Sequence, residues 1–127
     1  MKTSSRSLCL QIVAIVIALS FGLRAYAETP REEVVHAYIL LKHADHDYDG
    51  HREKAMAEVS AAGRDLGLKL EGEGVEHERQ WKSDEKMAEA RRLLREARDK
   101  LEARDRDRVA DRLEKAIKEI DVSLAIK

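Results

Sequence analysis

Apolar residues recur at every third or fourth position over most of the chain, and that period decides what it can fold into. Val34, Ala37, Tyr38, Leu41, Ala44 and Tyr48 fall on one face of a helix, widened by Val35, Ile39 and Leu40. A second stripe follows at Ala55, Met56, Val59, Ala62 and Leu66. A third runs through Met87, Ala90, Leu93, Leu94, Ala97 and Leu101, and a fourth through Val109, Leu113, Ala116, Ile117, Ile120 and Leu124. No stretch sustains a period of two, so strand pairing is not expected. The fold class read from this is all-α, as two tandem αα-hairpins. A lone hairpin leaves its apolar faces in water, whereas two hairpins cover one another as a four-helix bundle. The competing arrangement is two loosely linked hairpins that complete a core only by dimerising.

The residues between the stripes set the boundaries. Thr29-Pro30-Arg31-Glu32 places a capping hydroxyl, a proline at the first helical position and a capping-box glutamate in order. The first helix is expected to run through Tyr48. Asp49-Gly50 then marks a short connection, with Asp49 as cap of the second helix. Gly63 weakens that helix and Gly67 ends it, so residues 28–67 form the first hairpin. Residues 68–82 lack a period and gather Glu71, Glu73, Glu76 and Glu78 around Gly72 and Gly74. They read as a mobile acidic linker, with Trp81 packing back on the core. Ser83 is the expected cap of the third helix, and residues 83–127 form the second hairpin, turning at 103–107.

The halves look duplicated. Ala37, Leu40, Leu41, Ala44 and Tyr48 return 53 positions later as Ala90, Leu93, Leu94, Ala97 and Leu101. After one inserted residue, Arg52, Ala55, Met56, Val59, Ala62 and Leu66 match Arg106, Val109, Ala110, Leu113, Ala116 and Ile120. Two unrelated amphipathic hairpins could also align, but the nearly constant offset favours an internal repeat.

Residues 1–27 differ in kind from the rest. Lys2, Arg6 and Arg24 flank an apolar run from Leu8 to Leu19, no acid is present, and the segment closes on Ala25-Tyr26-Ala27. This is the pattern of a signal peptide cleaved after Ala27. The run falls short of the roughly 20 residues a membrane span needs, so no stable anchor is expected after cleavage. Localisation is then periplasmic or secreted. Three of the 24 basic residues leave with the leader and all 25 acids stay, giving a net charge near −4. Such a balance excludes a strongly basic nucleic-acid binder. Cys9, the single cysteine, leaves as well, so disulfides cannot supplement the core.

Chemistry-bearing residues concentrate between His43 and Arg52. His43, His46, Asp47 and His51 are candidate ligands for a divalent metal: His43 lies three residues from His46 and four from Asp47, with His51 across the turn and His36 two turns earlier. Imidazole suits zinc, copper or nickel, and a carboxylate can complete the set. Asp45-x-Asp47-x-Asp49-Gly50 also matches the opening of a calcium loop, but position 12, which needs a bidentate glutamate, is Met56. The structural alternative is preferred. In it Tyr48 is core, Asp49 a cap, and His51 and Arg52 pair with Asp45, Asp47 or Asp49. No catalytic residue is assigned: Ser60 has no base at a meaningful spacing and no glycine-rich phosphate loop exists.

His46-Asp47-Tyr48-Asp49-Gly50-His51-Arg52, followed by Lys54-Ala55, Val59 and Ala62, resembles the H-D-Y-x-G-H-R turn of small exported bacterial helical-hairpin proteins of uncharacterised function. The resemblance covers residues 34–66 well and 87–124 only as helical pattern. In the second half Asp105 replaces the motif histidine and Arg104 the glycine. It implies no activity, only that the G-H-R turn recurs in this type of hairpin. The function expected is an exported, non-enzymatic helical interaction or structural protein, with an unknown protein partner or a homo-oligomer as its assembly. The alternative is a periplasmic metal-binding protein using the histidine-aspartate cluster.

Overall fold

The computed structural model describes residues 27–44, 48–72 and 80–126, the side chains at 80 and 81 excepted. Residues 1–26, Asp45, His46, Asp47, residues 73–79 of the linker, the side chain of Trp81 and Lys127 lie outside the described residues. Four helices and no strand occur among the described ones: α1 (Pro30–His43), α2 (His51–Asp65), α3 (Gln80–Glu102) and α4 (Asp107–Ala125).

α1 starts as its sequence dictates. The Glu32 amide donates to Thr29 Oγ1 at 3.3 Å, and the Thr29 amide donates to Glu32 Oε2 at 2.7 Å. These bonds satisfy two of the amide donors that a helix start leaves open. They also hold the Glu32 carboxyl below the usual carboxylate range. The far end departs from expectation. α1 stops at His43, and extended Ala44 donates to Leu40 and Leu41. Tyr48, expected within the helix, belongs to a separate short turn, Tyr48–Gly50. Asp49 does not cap α2 either: Gly50 holds that position, with no side-chain cap.

α2 ends in a Schellman motif. Left-handed Gly67 (φ +72°) donates to Arg64, and Leu68 donates back to Gly63. Gly63 serves a further purpose, since a Cβ there would lie 2.7 Å from Leu70 Cδ1. α3 begins at Gln80, ahead of the expected cap Ser83, which lies inside the helix and is fully buried. Four and eleven residues on from Ser83 come Met87 and Leu94, so its position belongs to the inward stripe.

Side-chain bonds fix the directions. Tyr48, just after α1, reaches Asp84 at the start of α3, whereas Glu33 at the start of α1 meets Lys100 near the end of α3. Asp65 at the end of α2 pairs with Arg112 early in α4, and His51 at the start of α2 with Glu119 late in α4. Every neighbouring pair is thus antiparallel, and the helices form a four-helix bundle ordered α1, α2, α4, α3 around the ring. α2 and α3 stand on a diagonal and point the same way, so their connection must travel the length of the bundle. Its first part lies against α1 and α2, the loosest neighbouring pair. Ser60 of α2 donates to the Leu70 carbonyl at 3.3 Å, and Tyr38 of α1 donates to the Gly72 carbonyl at 3.1 Å. The start of the expected acidic linker is thus tied to the bundle, with Leu68 and Leu70 partly buried and Lys69, Glu71 and Gly72 exposed.

One core joins both hairpins. Leu41 and Val59 from the first and Leu94 and Leu113 from the second are all fully buried. Alanines 37, 55, 62, 90, 97 and 116 alternate with these larger residues and are also fully buried, which lets the helices approach closely.

Candidate functional site

The α1–α2 junction carries the unusual chemistry, and its geometry begins with backbone strain. Tyr48, Asp49 and Gly50 are consecutively left-handed, at φ +47°, +53° and +79°. Glycine takes this conformation freely and aspartate tolerates it, but a bulky tyrosine is costly there, by roughly 1–3 kcal/mol. Its side chain supplies the compensation. The ring is 1% exposed, and the hydroxyl donates to Asp84 Oδ1 at 2.6 Å. Burial, then the Asp84 carboxylate, pushes the phenol well above its ordinary range, against a smaller opposing effect from the Ser83 hydrogen bond. The hydroxyl is thus fixed as a donor, which ties the junction to α3.

Arg52 closes the junction from the other side. Its side chain is 6% exposed. One terminal nitrogen donates to the Ala44 carbonyl, and Nε and the other terminal nitrogen take Glu53 Oε1 at 3.1 and 2.7 Å. Lys86 of α3 donates to the His43 carbonyl at 3.1 Å. Two cations therefore meet the negative end of the α1 dipole, which is favourable. This accounts for an arginine in the first turn of α2, a position its own helix disfavours. His51 Nδ1 lies 2.6 Å from Glu119 Oε2, with both side chains partly exposed. Among the described residues its partner thus comes from the last helix; Asp45 and Asp47, two of the partners expected in the turn, lie outside them.

Of the four candidate metal ligands, His43 is exposed at the end of α1, and His51 engages Glu119. His46 and Asp47 lie outside the described residues. His36 sits apart, 3.5 Å from Glu28. Among the described residues no group of three or more His, Cys, Asp or Glu side chains is gathered to hold a metal ion. Met56, at the twelfth position of the calcium-loop reading, belongs to the core.

Two other features stand at the opposite end and on the outer side of α1. Glu33 is 1% exposed and binds Lys100, whose ammonium also donates to the Glu28 carbonyl at 2.9 Å. Burial raises the Glu33 carboxyl; Lys100 opposes that rise, and nearby Glu96 adds to it. On the outer side, Val35, Ile39 and Leu68 line a groove of about 530 Å³ together with polar residues that include Glu28, Arg31 and His36.

Sequence reasoning missed Asp84, Lys86 and Glu119 as partners of the junction. The first two were visible only as polar residues early in α3, the third as an outward charge on α4. Compared with protein-family models, with curated proteins and with solved structures, the chain matches none.

Proposed function

We propose that this is an exported, non-enzymatic helical protein of the periplasm or cell exterior, working through its surfaces as an interaction or structural module. The observation that supports this most is how the described polar residues of the junction are used. Tyr48, His51 and Arg52 are directed to Asp84, Glu119 and Ala44 of the same bundle, not toward an open cleft. Those contacts read as a latch holding hairpins together. The leader pattern up to Ala27 supplies the export half of the reading.

Expression in a bacterial host with envelope fractionation tests it. A chain beginning at Glu28 in the periplasmic fraction is expected, and an intact Met1–Lys127 mass in the membrane fraction would sink it. Native mass spectrometry of the same material, with zinc, copper or nickel added, reports subunit number and metal stoichiometry together. A stoichiometric metal adduct that His51→Ala removes would replace this reading with metal binding.

A further inference from the structure

α1 presents two unlike faces. Val34, Ala37 and Leu41 are fully buried. On the outward side Glu32, Val35, Ile39 and Lys42 follow one another at spacings of three, four and three. Val35 is half-buried, Ile39 is 48% exposed, and Leu68 of the connector stands beside them to form the groove. Glu32 lines the same groove; Lys42, three residues on from Ile39, lays its side chain against Gly72 of the connector.

That spacing is the a and d rhythm of paired helices, in which an antiparallel partner sets each a position against a d position. The stripe reads acid, apolar, apolar, base. About a two-fold axis at the level of Ala37, Val35 of one copy meets Ile39 of the other, and Glu32 meets Lys42. Parallel, in-register pairing would instead set Glu32 on Glu32 and Lys42 on Lys42. The face is therefore self-complementary in one orientation, as an isologous interface requires. The capping box uses one oxygen of Glu32, leaving the second to accept from the lysine. We infer that this groove is a homodimer surface: a second copy of the chain seats its α1 antiparallel on the first, with Ile39 entering the groove between Val35 and Leu68. The inference rests on the reading of the protein as an interaction module and names its partner.

Sedimentation velocity over a dilution series of the protein recovered from the envelope tests it. A monomer–dimer equilibrium is expected. Ile39→Glu should raise the dissociation constant by roughly a hundredfold or more, because it sets an unpaired charge against an apolar contact in both halves. Thermal unfolding of that variant, measured below the dissociation constant, should match the parent, since Ile39 is not core. Lys42→Glu should dissociate the dimer too, and adding Glu32→Lys should restore it. Glu32→Lys alone serves as the control for the lost cap. A monomer at every concentration would overturn the inference, as would a dimer that Ile39→Glu leaves intact. A monomer that a photo-crosslinker at position 39 joins to a different envelope protein would also overturn it, while leaving the interaction reading standing.

Discussion

Among the described residues the junction between α1 and α2 holds three consecutive left-handed residues, one of them a buried tyrosine, whereas the junction between α3 and α4 holds one, the exposed Asp105. At the second junction the chain closes on itself. Asp105 donates to Glu102 and Arg106 to Leu101, the same pair of bonds that ends α2 at Gly67, with an aspartate in the glycine's place. The first junction draws its anchors from elsewhere in the bundle. Asp84 and Lys86 come from α3, Glu119 from α4, and Arg52 reaches back to Ala44. The second turn closes on bonds to its own neighbours in sequence, with Arg106 also donating to the Asp65 carbonyl at 3.1 Å, whereas the first is anchored by three residues from two other helices. A strained backbone persists in the first because the surrounding helices hold it there.

This contrast can be broken most forcefully at Tyr48. Tyr48→Ala removes both the buried ring and the bond to Asp84, and should cost roughly 3–5 kcal/mol in denaturant unfolding. A loss below about 1 kcal/mol would mean that the first junction stands without its distant anchors. Tyr48→Phe keeps the ring and leaves Asp84 without its donor, for a smaller loss of about 1–3 kcal/mol.

Glycine scanning of the left-handed positions sharpens the comparison. Asp105→Gly should stabilise the protein by roughly 1 kcal/mol, since nothing else holds that residue and glycine removes the penalty. Gly50→Ala should destabilise by about as much. The two shifts in unfolding midpoint should have opposite signs; equal signs would contradict the backbone assignment of one junction.

A double-mutant cycle on His51 and Glu119 should give a coupling of about 0.2–1 kcal/mol, as for partly exposed ion pairs. Asp49→Ala should show no coupling to His51→Ala. The reverse result would return His51 to Asp49, one of the three partners expected within the turn.

The smallest effect belongs to Glu33, at the end of the bundle away from the strained junction. Its carboxyl is raised above the ordinary value, so between the two values the folded state binds more protons than the unfolded one. Stability from this group therefore falls as pH rises through that window. Glu33→Gln should lack that slope. Urea unfolding of both proteins from pH 4 to 7 compares them, and an unchanged difference across the range would contradict the burial of the carboxyl.

The stripes at three- and four-residue spacing were legible because burial in a bundle follows helix phase, and Leu41, Val59, Leu94 and Leu113 all occupy the core they were assigned. Caps built from adjacent residues were legible too, at Thr29 and Gly67. What could not be read locally depended on residues far along the chain. The end of α1 at His43 rests on Arg52 and Lys86, and His51 turns to a residue 68 positions away. Ser83 precedes two acids, which is the signature of a cap, yet its spacing to Met87 and Leu94 puts it on the inward stripe, and the second signal prevails. Glu33 stands in the first turn of α1 with no sign in its neighbours that it is buried, and only the position of Lys100 explains how a carboxylate can be buried there.

The connector that leaves α2 at Gly67 and passes Tyr38 at Gly72 has a kinetic meaning beyond its packing. Each hairpin alone lacks half of the core, so the connector sets the effective concentration at which one hairpin meets the other. Within the intact chain that concentration is fixed by tether length and does not change with dilution. A protease cut just beyond Gly72 would turn the same core into a bimolecular complex, whose unfolding midpoint then follows total protein concentration. Dilution, harmless to the uncut fold, would become a denaturant.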